Sequence, residues 1–334
     1  MKTRRLGREG PEVSALGLGC MAMSGTYGPA DDAESVATIQ EAIDCGITLL
    51  DTGDFYGMGH NEMLLRKALE GGRRERVFLQ VKFGAQRSPE GAFVGIDTRP
   101  AAVKTFLAYS LRRLGTDFVD LYQPARLDPA VPIEETVGAI AELVRAGYVR
   151  YVGLSEMGPA TMRRASAVHP ITQLQIEYSL VSRSVETEVL PAARELGIGV
   201  TAYGVLSRGL LTGAGRDKLG KRDIRNHFPR FQGENLQQNL RLVEALEAVA
   251  RQKGATAAQA AFAWVLSRGE DIIPLVGPRN RAQLRESLGA LELKLTDEDL
   301  AQIEHAAPAE KIQGTRYAAA GMVTLDSEKQ PGQA

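Results

Sequence analysis

The feature that most constrains the fold of this chain is a regular alternation of short apolar segments with longer amphipathic segments. Apolar runs of this length are typical of buried β-strands, and the amphipathic segments have helical length. Eight such pairs follow one another between about residue 16 and residue 290. The predicted strands are 16–19, 48–51, 77–82, 118–123, 151–155, 174–177, 199–203 and 272–276. The predicted helices are 33–44, 62–70, 99–114, 133–146, 159–168, 186–196, 257–268 and 281–291.

Eight strand–helix units are the number that closes a parallel barrel. No Pro- or Ser-rich linker interrupts the series, so the sequence predicts an α/β fold with a single (β/α)8 TIM-barrel domain. Residues 3–15 are predicted to form a hairpin that plugs the bottom of the barrel, and residues 296–306 an extra C-terminal helix. The core is predicted to span about residues 3–310 of the 334, followed by a flexible tail over 311–334. The long insertion between residues 203 and 236 is expected to be functional.

Composition narrows the class of protein. The net charge of −1 argues against a nucleic-acid surface or an anionic-membrane binder, because neither interaction would have a basic field to rely on. No apolar stretch approaches the roughly 18 residues of a membrane span. The two cysteines, Cys20 and Cys45, make neither a disulfide framework nor a metal site, which favours a reducing cytoplasm. No heptad stripe or repeat indicates an oligomeric state.

The strongest chemical signal is an acid, a tyrosine and a lysine near the ends of neighbouring strands. Asp51 ends the second predicted strand, Tyr56 follows it in the loop, and Lys82 ends the third. Tyrosine has a reference pKa near 10, so it donates a proton near neutrality only if its phenolate is stabilised. A buried ammonium, itself held by a carboxylate, supplies that stabilisation. The competing interpretation is a buried ion pair with a packing tyrosine, although such pairs are costly and cluster at functional sites.

A glycine motif near the N-terminus has two interpretations. Residues 17–22 match the G-x-G-x-x-A dinucleotide fingerprint, but about ten loop residues separate its glycines from the next helix. A Rossmann domain is therefore disfavoured. Gly19, Cys20 and Met21 are instead predicted to line a barrel mouth that a flat ring approaches closely.

Polar groups for a nucleotide are distributed over the later strand ends. Ser155 and Gln175 are predicted to hydrogen-bond a nicotinamide carboxamide, and Tyr203 to stack on the ring. The glycine-rich loop 204–213 is predicted to wrap a pyrophosphate. The segment 277–281 precedes a helix, where free N–H groups and arginines favour a phosphate. Turn glycines, surface arginines and a core tyrosine remain the alternatives for each feature taken alone.

Over about residues 3–310 the chain resembles the aldo-keto reductase superfamily. The resemblance rests on the segments 51–57, 61–62, 121–123, 153–155, 175–179, 202–204, 209–213 and 273–274, with Lys82 and Arg279. It implies a barrel that binds NADPH in extended form, with Tyr56 as general acid and with Lys82 and Asp51 lowering its pKa. Together with the strand-end positions, it gives a catalytic set of Asp51, Tyr56, Lys82 and Arg126. The cofactor-binding set is Gly19, Cys20, Met21, Asp51, Ser155, Gln175, Tyr203, Gly204, Leu206, Ser207, Arg208, Gly209, Leu210, Gly277, Arg279, Gln283 and Glu286.

One departure from the family pattern affects the fourth catalytic position. The family usually has a histidine at the end of the fourth strand, where this chain has Ala125 followed by Arg126. This Ala-Arg pair resembles the one that some pyridoxal reductase-like members of the family have at the same position. Arginine keeps its proton near neutrality, so Arg126 is expected to act electrostatically and not as a proton relay.

The predicted function is NADPH-dependent reduction of a small aldehyde or ketone to an alcohol. The predicted substrate pocket consists of residues 23–27, Phe55, His60, Phe83, Arg126, Phe228 and the tail. Two alternatives stay open: an NADPH-binding regulatory or sensing protein with little turnover, and a phosphate-binding isomerase or lyase on the same barrel.

Overall fold

The computed structural model describes residues 1–217, 219–221 and 223–329. Over this part of the chain the strands are β1 (Thr3–Arg5), β2 (Glu12–Ser14), β3 (Gly17–Gly19), β4 (Leu49–Gly53), β5 (Phe78–Phe83), β6 (Ala85–Arg87), β7 (Phe93–Ile96), β8 (Val119–Pro124), β9 (Val149–Ser155), β10 (Gln173–Glu177), β11 (Gly199–Tyr203) and β12 (Ile272–Val276). The helices are α1 (Asp32–Asp44), α2 (His60–Ala68), α3 (Pro100–Leu114), α4 (Ile133–Arg145), α5 (Pro159–Val168), α6 (Val189–Leu196), α7 (Gly233–Gln252), α8 (Ala257–Ser267), α9 (Arg281–Leu288), α10 (Asp297–Ala306) and α11 (Ala319–Met322).

Eight of these strands close a parallel barrel in the order β3–β4–β5–β8–β9–β10–β11–β12, and β12 pairs with β3. The predicted (β/α)8 fold is confirmed. Every residue of β4, β5 and β8 is buried, because helices cover the outer face while side chains fill the interior. In the sequence these strands mix apolar residues with polar ones such as Asp51, Lys82 and Gln123, so they read as apolar runs only in part.

The N-terminal hairpin closes the bottom of the barrel, as predicted. Strands β1 and β2 pair antiparallel, and between them Leu6 enters a cluster with Val13 and Leu49 inside the barrel. The hairpin backbone passes so close to β11 that a Cβ at Gly199 would lie 2.3 Å from the backbone nitrogen of Gly7. Glycine at this position is a steric requirement of the plug.

Several elements were not predicted. A short antiparallel hairpin, β6–β7, follows β5 at the mouth, the 20-residue helix α7 occupies the segment between β11 and α8, and the short helix α11 lies in the expected tail. Most residues of β6 and β7 are exposed, so they lack the apolar run that identifies a barrel strand. No described helix combines the length and apolarity that a membrane crossing requires.

The C-terminal region contains the predicted extra helix, α10, which Thr296 begins with a capping box. The flexible tail expected over 311–334 stays a prediction. In the structure residues 311–329 fold back over the barrel mouth, where Leu325 and Arg316 are buried and ion pairs, described below, hold the segment. Residues 330–334 of the predicted tail lie outside the described residues.

Candidate active site

Asp51 is the hub of the site. Its Oδ1 atom accepts hydrogen bonds from Lys82 Nζ at 2.5 Å, from Gln80 Nε2 at 2.7 Å and from Gln175 Nε2 at 2.8 Å. All four side chains are buried. Three donors on one oxygen keep the carboxylate in a fixed position and compensate for its loss of water.

Strand register explains why these residues meet. Asp51 on β4 lies opposite Gln80 on β5, and Lys82 is two residues further along β5. Residues two apart on a strand point to the same face, so Gln80 and Lys82 both face Asp51 inside the barrel. Because the barrel is closed, β10 lies across its interior from β4, and Gln175 on β10 donates to the same oxygen of Asp51.

Tyr56 lies in the loop after β4, next to this hub. The Lys82 Nζ atom is 5.0 Å from the centre of the Tyr56 ring, and the Phe55 ring packs edge-on against Tyr56 at 4.9 Å between centroids. Gly57 and Met58 then adopt left-handed backbone conformations, with φ of 56° and 54°. This tight turn returns the chain to helix α2 and leaves Tyr56 at the mouth.

Burial and nearby charges shift the pKa of Tyr56. Burial raises the pKa of Tyr56 well above its ordinary value, and the Asp51 carboxylate raises it further. Arg126 is the cation that lowers it. Burial also lowers the pKa of the Lys82 ammonium, against the opposing effect of Asp51. In this structure the negative Asp51 carboxylate disfavours a second negative charge nearby. The lowering of the Tyr56 pKa that the family resemblance implies stays a prediction.

Arg126 follows strand β8 and points into the same space. Its Nη1 donates to the carbonyl of Ala125 at 2.6 Å, and its Nη2 donates to the hydroxyl of Tyr317 at 3.2 Å. Within the described ranges no carboxylate forms a salt bridge with Arg126. Phe83, which was expected in the substrate pocket, is fully buried and stacks on Tyr122 at 4.2 Å, so it belongs to the core.

The first barrel strand delivers Gly19, Cys20 and Met21 beside the hub. Gly19 lies opposite Asp51, and the backbone nitrogen of Cys20 donates to the Asp51 carbonyl at 3.0 Å. A Cβ at Gly277, after β12, would lie 4.0 Å from the carbonyl oxygen of Gly19. The two glycines therefore border one another at the rim and leave the backbone accessible there.

Ser155, Gln175 and Tyr203 end or occupy the next strands. Ser155 is buried, and its Oγ has no hydrogen-bond partner among the residues that the structure describes. The amide nitrogen of Gln175 donates to Asp51. The Tyr203 hydroxyl donates to Glu156 Oε1 at 2.8 Å, which fixes the direction of its ring.

The loop after β11 forms the 3₁₀ turn Ser207–Thr212 that contains Ser207, Arg208, Gly209 and Leu210. The first three have positive φ, as does Gly204, so successive backbone N–H groups are turned out of regular helix geometry. The Arg208 guanidinium lies 3.4 Å from Glu177 Oε2. Leu210 is buried, and Leu206 caps the turn.

Helix α9 presents its N-terminus at the rim after Gly277. Arg279 donates from Nη2 to the carbonyl of Pro29 at 2.5 Å, and its backbone nitrogen donates to Gln283 Oε1 at 2.8 Å. Arg281 is instead paired with Glu34 at 2.9 Å. The Glu286 side chain lies further along this exposed face, while its carbonyl accepts from Gln259.

These groups fit a nicotinamide dinucleotide. Ser155 Oγ and both amide atoms of Gln123 are buried polar atoms without partners in the described structure, and β8 places Gln123 directly opposite Lys82. Buried polar atoms without partners are costly, so they indicate a bound polar group. The N-terminus of α9 with Arg279 suits a phosphate. By contrast, no group of three or more His, Cys, Asp or Glu within the described ranges is arranged to hold a metal ion.

Sequence reasoning missed four contributors. Gln80 was detectable, because it precedes Lys82 by two positions on one strand. Glu156, immediately after Ser155, was detectable only as an acid at a strand end. Arg316 and Tyr317 carried no local signal, since Glu156 and Tyr203, which they contact, lie more than a hundred residues away.

Comparison with known proteins agrees with this geometry. A model of the Aldo/keto reductase family matches residues 15–308. The chain belongs to the aldo/keto reductase family. Among its curated relatives is "Probable aldo-keto reductase 1" of Glycine max, which is 43% identical over 317 residues and is aligned over 94% of this chain and 91% of the relative.

Solved structures of the family have the same fold. The glycerol dehydrogenase AKR11B4 from Gluconobacter oxydans superposes with a TM-score of 0.82 at 31% identity, over 92% of this chain and 96% of that one. The thermostable aldo-keto reductase Tm1743, solved with the inhibitor epalrestat, gives 0.72 at 30% identity, over 92% and 100%. As an aldo/keto reductase, the chain is an oxidoreductase that acts on small carbonyl compounds, in a family that generally uses NAD(P)H.

Proposed function

We propose that this aldo/keto reductase is an NADPH-dependent enzyme that reduces an aldehyde or ketone to an alcohol, with Tyr56 as the proton donor. The observation that carries the proposal is the Asp51 hub, which holds Lys82 within 5.0 Å of the Tyr56 ring centre at the mouth of the barrel. A buried, oriented ammonium beside a phenol is suited to proton transfer to a carbonyl oxygen.

NADPH, when bound, supplies the hydride for this reduction. We assign the nicotinamide end to Ser155, Gln175 and Tyr203, and the pyrophosphate to the loop 204–213. The 2′-phosphate is assigned to Arg279, with Gln283 beside it. The partnerless Ser155 Oγ and the solvent-facing start of α9 support this assignment.

The residues of the chain supply the proton and stabilise the charge that develops on the carbonyl oxygen. Tyr56 is protonated at neutral pH, because the ordinary pKa of tyrosine lies near 10 and burial raises it further, so its proton is in place before substrate binds. Lys82 and Arg126 lie on the side where negative charge develops on the carbonyl oxygen and stabilise it there. Because Arg126 retains its proton, it orients the carbonyl without relaying a proton.

We place the protein in the cytoplasm. Its two cysteines are both free thiols, with Cys20 buried beside the hub and Cys45 exposed. An exposed free thiol is compatible with a reducing compartment. The proposed partner is a small carbonyl substrate, with no nucleic acid or membrane partner.

The test is the Tyr56→Phe variant. It removes the donated proton and keeps the ring, so carbonyl reduction should fall by about 10²- to 10⁴-fold. NADPH binding should stay close to that of the wild type. The measurement follows loss of NADPH absorbance with nitrobenzaldehyde, methylglyoxal and pyridoxal, and the exposed Tyr109→Phe serves as the control. Turnover retained in Tyr56→Phe contradicts the assignment.

Two observations favour a second function. Ala125 stands where the family usually has a histidine, and the described hydrogen bonds include none from the Tyr56 hydroxyl to Lys82. On that alternative the protein binds NADPH and senses it with little turnover. Fluorescence titration with NADPH, run beside the carbonyl panel, separates the two functions. Tight binding without reduction of any carbonyl favours sensing.

A further inference from the structure

A buried cluster of charges lies just behind the mouth of the barrel. Glu156 and Glu177, after β9 and at the end of β10, are both almost fully buried. Arg316 enters from the C-terminal region and is itself only 5% exposed. Its Nη1 is 3.2 Å from both Glu156 Oε1 and Glu177 Oε2, and its Nη2 is 3.1 Å from Glu156 Oε2. One cation therefore bridges two buried acids from neighbouring strands.

The backbone at Glu156 is bent to make this arrangement. Glu156 has a positive φ of 54°, which is uncommon for a residue with a side chain. The bend directs its Oε1 to the Tyr203 hydroxyl and to the backbone nitrogen of Glu177, at 2.8 and 3.0 Å. Its Oε2 accepts from Ser327 at 2.6 Å. Backbone strain of this kind is concentrated at functional sites.

Tyr317, the residue after Arg316, links this charged cluster to the region where the substrate is proposed to bind. The Tyr317 hydroxyl lies 3.2 Å from the Tyr203 hydroxyl and accepts from Arg126 Nη2 at 3.2 Å. The Tyr317 ring also covers the Arg208 guanidinium at 4.5 Å. A continuous path of hydrogen bonds therefore runs from Glu156 through Tyr203 and Tyr317 to Arg126.

We propose that Glu156 and Arg316 are positioning residues of the reductase site: their ion pair fixes residues 315–328 across the mouth and orients Tyr203 and Arg126. This inference rests on the proposed function, in which Tyr203 lies against the nicotinamide and Arg126 faces the carbonyl. Neither Glu156 nor Arg316 contacts the reacting atoms. Their effect is transmitted through Tyr203 and Tyr317.

The electrostatics of the cluster support a permanently charged pair. Burial raises the pKa of Glu156, but Arg316 and Arg126 overcome it and hold the pKa at about 2. Burial acts likewise on Glu177, whose pKa is nevertheless lowered by Arg208, Arg316 and Arg230. Both acids are therefore ionised at neutral pH. Breaking one partner of a buried ion pair leaves an uncompensated charge, whereas replacing both partners does not.

The experiment uses the double variant Glu156→Gln/Arg316→Gln of the full chain, which removes both charges of this pair together. Its thermal midpoint is expected within a few degrees of the wild type, because the buried Glu177 keeps Arg208 at 3.4 Å as a partner and Glu328, which also pairs with Arg316, is partly exposed. Residues 315–328 should be released, so chymotrypsin should cut at Tyr317 at least tenfold faster, as followed by mass spectrometry. Fluorescence titration should show weaker NADPH binding, and kcat should fall about tenfold or more.

Two controls sharpen the test. Arg183→Gln removes an arginine that bridges Glu186 and Glu304 and makes no hydrogen bond to Glu156 or Arg316 among the described residues, and it should leave chymotrypsin cleavage and kcat unchanged. Arg316→Lys retains one charge and should restore protection from cleavage in part. A double variant that keeps wild-type kcat overturns the inference, whether residues 315–328 are released or remain protected.

The failure of this inference is distinct from the failure of the proposed function. Absence of turnover in the wild-type protein on every carbonyl contradicts the reductase activity. The cleavage and NADPH-binding measurements do not depend on turnover, so they still test whether Glu156 and Arg316 fix the segment. Unchanged cleavage and unchanged binding in the double variant overturn the positioning role by themselves.

Discussion

At the scale of single residues, exclusion of water determines the protonation of the site. Removing water disfavours the charged form of a group, so burial raises the pKa of Tyr56 and lowers that of Lys82. Both shifts have the same cause and opposite directions, and they keep the proton on the phenol. Asp51 counters the shift at Lys82, and the same Asp51 oxygen accepts hydrogen bonds from Lys82, Gln80 and Gln175.

Asp54, two residues before Tyr56, is a second buried acid, and its pKa is raised. Burial and the nearby Glu62 raise the pKa of Asp54 to about 8, while Arg113 opposes them. In contrast to Asp51, Asp54 lacks a salt-bridge partner among the described residues. The native state therefore holds a proton on Asp54 that the unfolded state, with a pKa of about 3.9, releases.

This difference predicts how stability depends on pH. Between about pH 4 and pH 8 the native state binds more protons than the unfolded state at Asp54, so the free energy of unfolding falls as pH rises. Asp54→Asn removes the titration and keeps the shape of the side chain. Its thermal midpoint should exceed that of the wild type at pH 8, and the two should converge toward pH 4.

Thermal melts from pH 4 to pH 8 measure this effect. The exposed Asp117→Asn is the control and should run parallel to the wild type. Parallel curves for Asp54→Asn as well would show that Asp54 is ionised in the native protein.

At the scale of elements, two arginines near the start of α9, Arg279 and Arg281, differ in their hydrogen-bond partners. Arg281 pairs with the carboxylate of Glu34, while the Arg279 guanidinium, among the described residues, donates to the carbonyl of Pro29 and forms no salt bridge. The positive charge of Arg279 is therefore available at the helix N-terminus, where the macrodipole also favours an anion. This assigns the proposed 2′-phosphate contact to Arg279.

The corresponding variant is Arg279→Ala. Loss of a charge-assisted phosphate contact should raise KM for NADPH by about tenfold or more and leave KM for NADH unchanged. Steady-state kinetics with both nucleotides measure the ratio. Arg285→Ala is a matched control on the same helix, because Arg285 pairs with Glu41 and should affect neither value. Equal losses with NADPH and NADH would place the 2′-phosphate elsewhere.

At the scale of the whole molecule, the barrel is closed at the bottom by the N-terminal hairpin and covered at the mouth by the C-terminal segment. The two ends are tied by different forces. Leu6 and Val13 fill the bottom with apolar contact, whereas Arg316 holds the mouth through charge. Damage at the bottom is therefore expected to affect stability and to spare the site.

Gly199→Ala tests this separation. The new methyl would lie 2.3 Å from the nitrogen of Gly7, so the hairpin must shift, and the free energy of unfolding should fall by about 1–3 kcal/mol. Activity of the folded protein well below the melting range should stay near wild type. Chemical denaturation and kinetics measure the two effects.

Gly138→Ala is the matched control. Gly138 lies in α4, and beyond its own helix no heavy atom of the described residues lies within 4 Å of its ideal Cβ, so alanine should stabilise the protein by about 0.5–1 kcal/mol. A Gly199→Ala variant as stable as the wild type would mean that the plug is not tightly packed.

The barrel and two of its site residues could be predicted because their signals are local. The apolar runs of β4 and β5 identify the strands, and strand polarity then places Asp51 and Lys82 at the same end. Helix α7 was missed inside a long segment, and β6–β7 was missed because its residues are mostly exposed. In both cases the alternation that identifies a barrel unit is absent.

By itself the sequence determined the closed (β/α)8 barrel, its hairpin plug, the family and the Asp51–Lys82 pair, since periodicity and strand ends are properties of neighbouring residues. Only the tertiary structure decided that Gln175 shares the oxygen of Asp51, that Arg316 bridges Glu156 and Glu177, and that burial raises the pKa of Tyr56. The physical reason is that these features depend on which distant groups meet and from where water is excluded. Neither is fixed until the barrel closes and its C-terminal segment folds over the mouth.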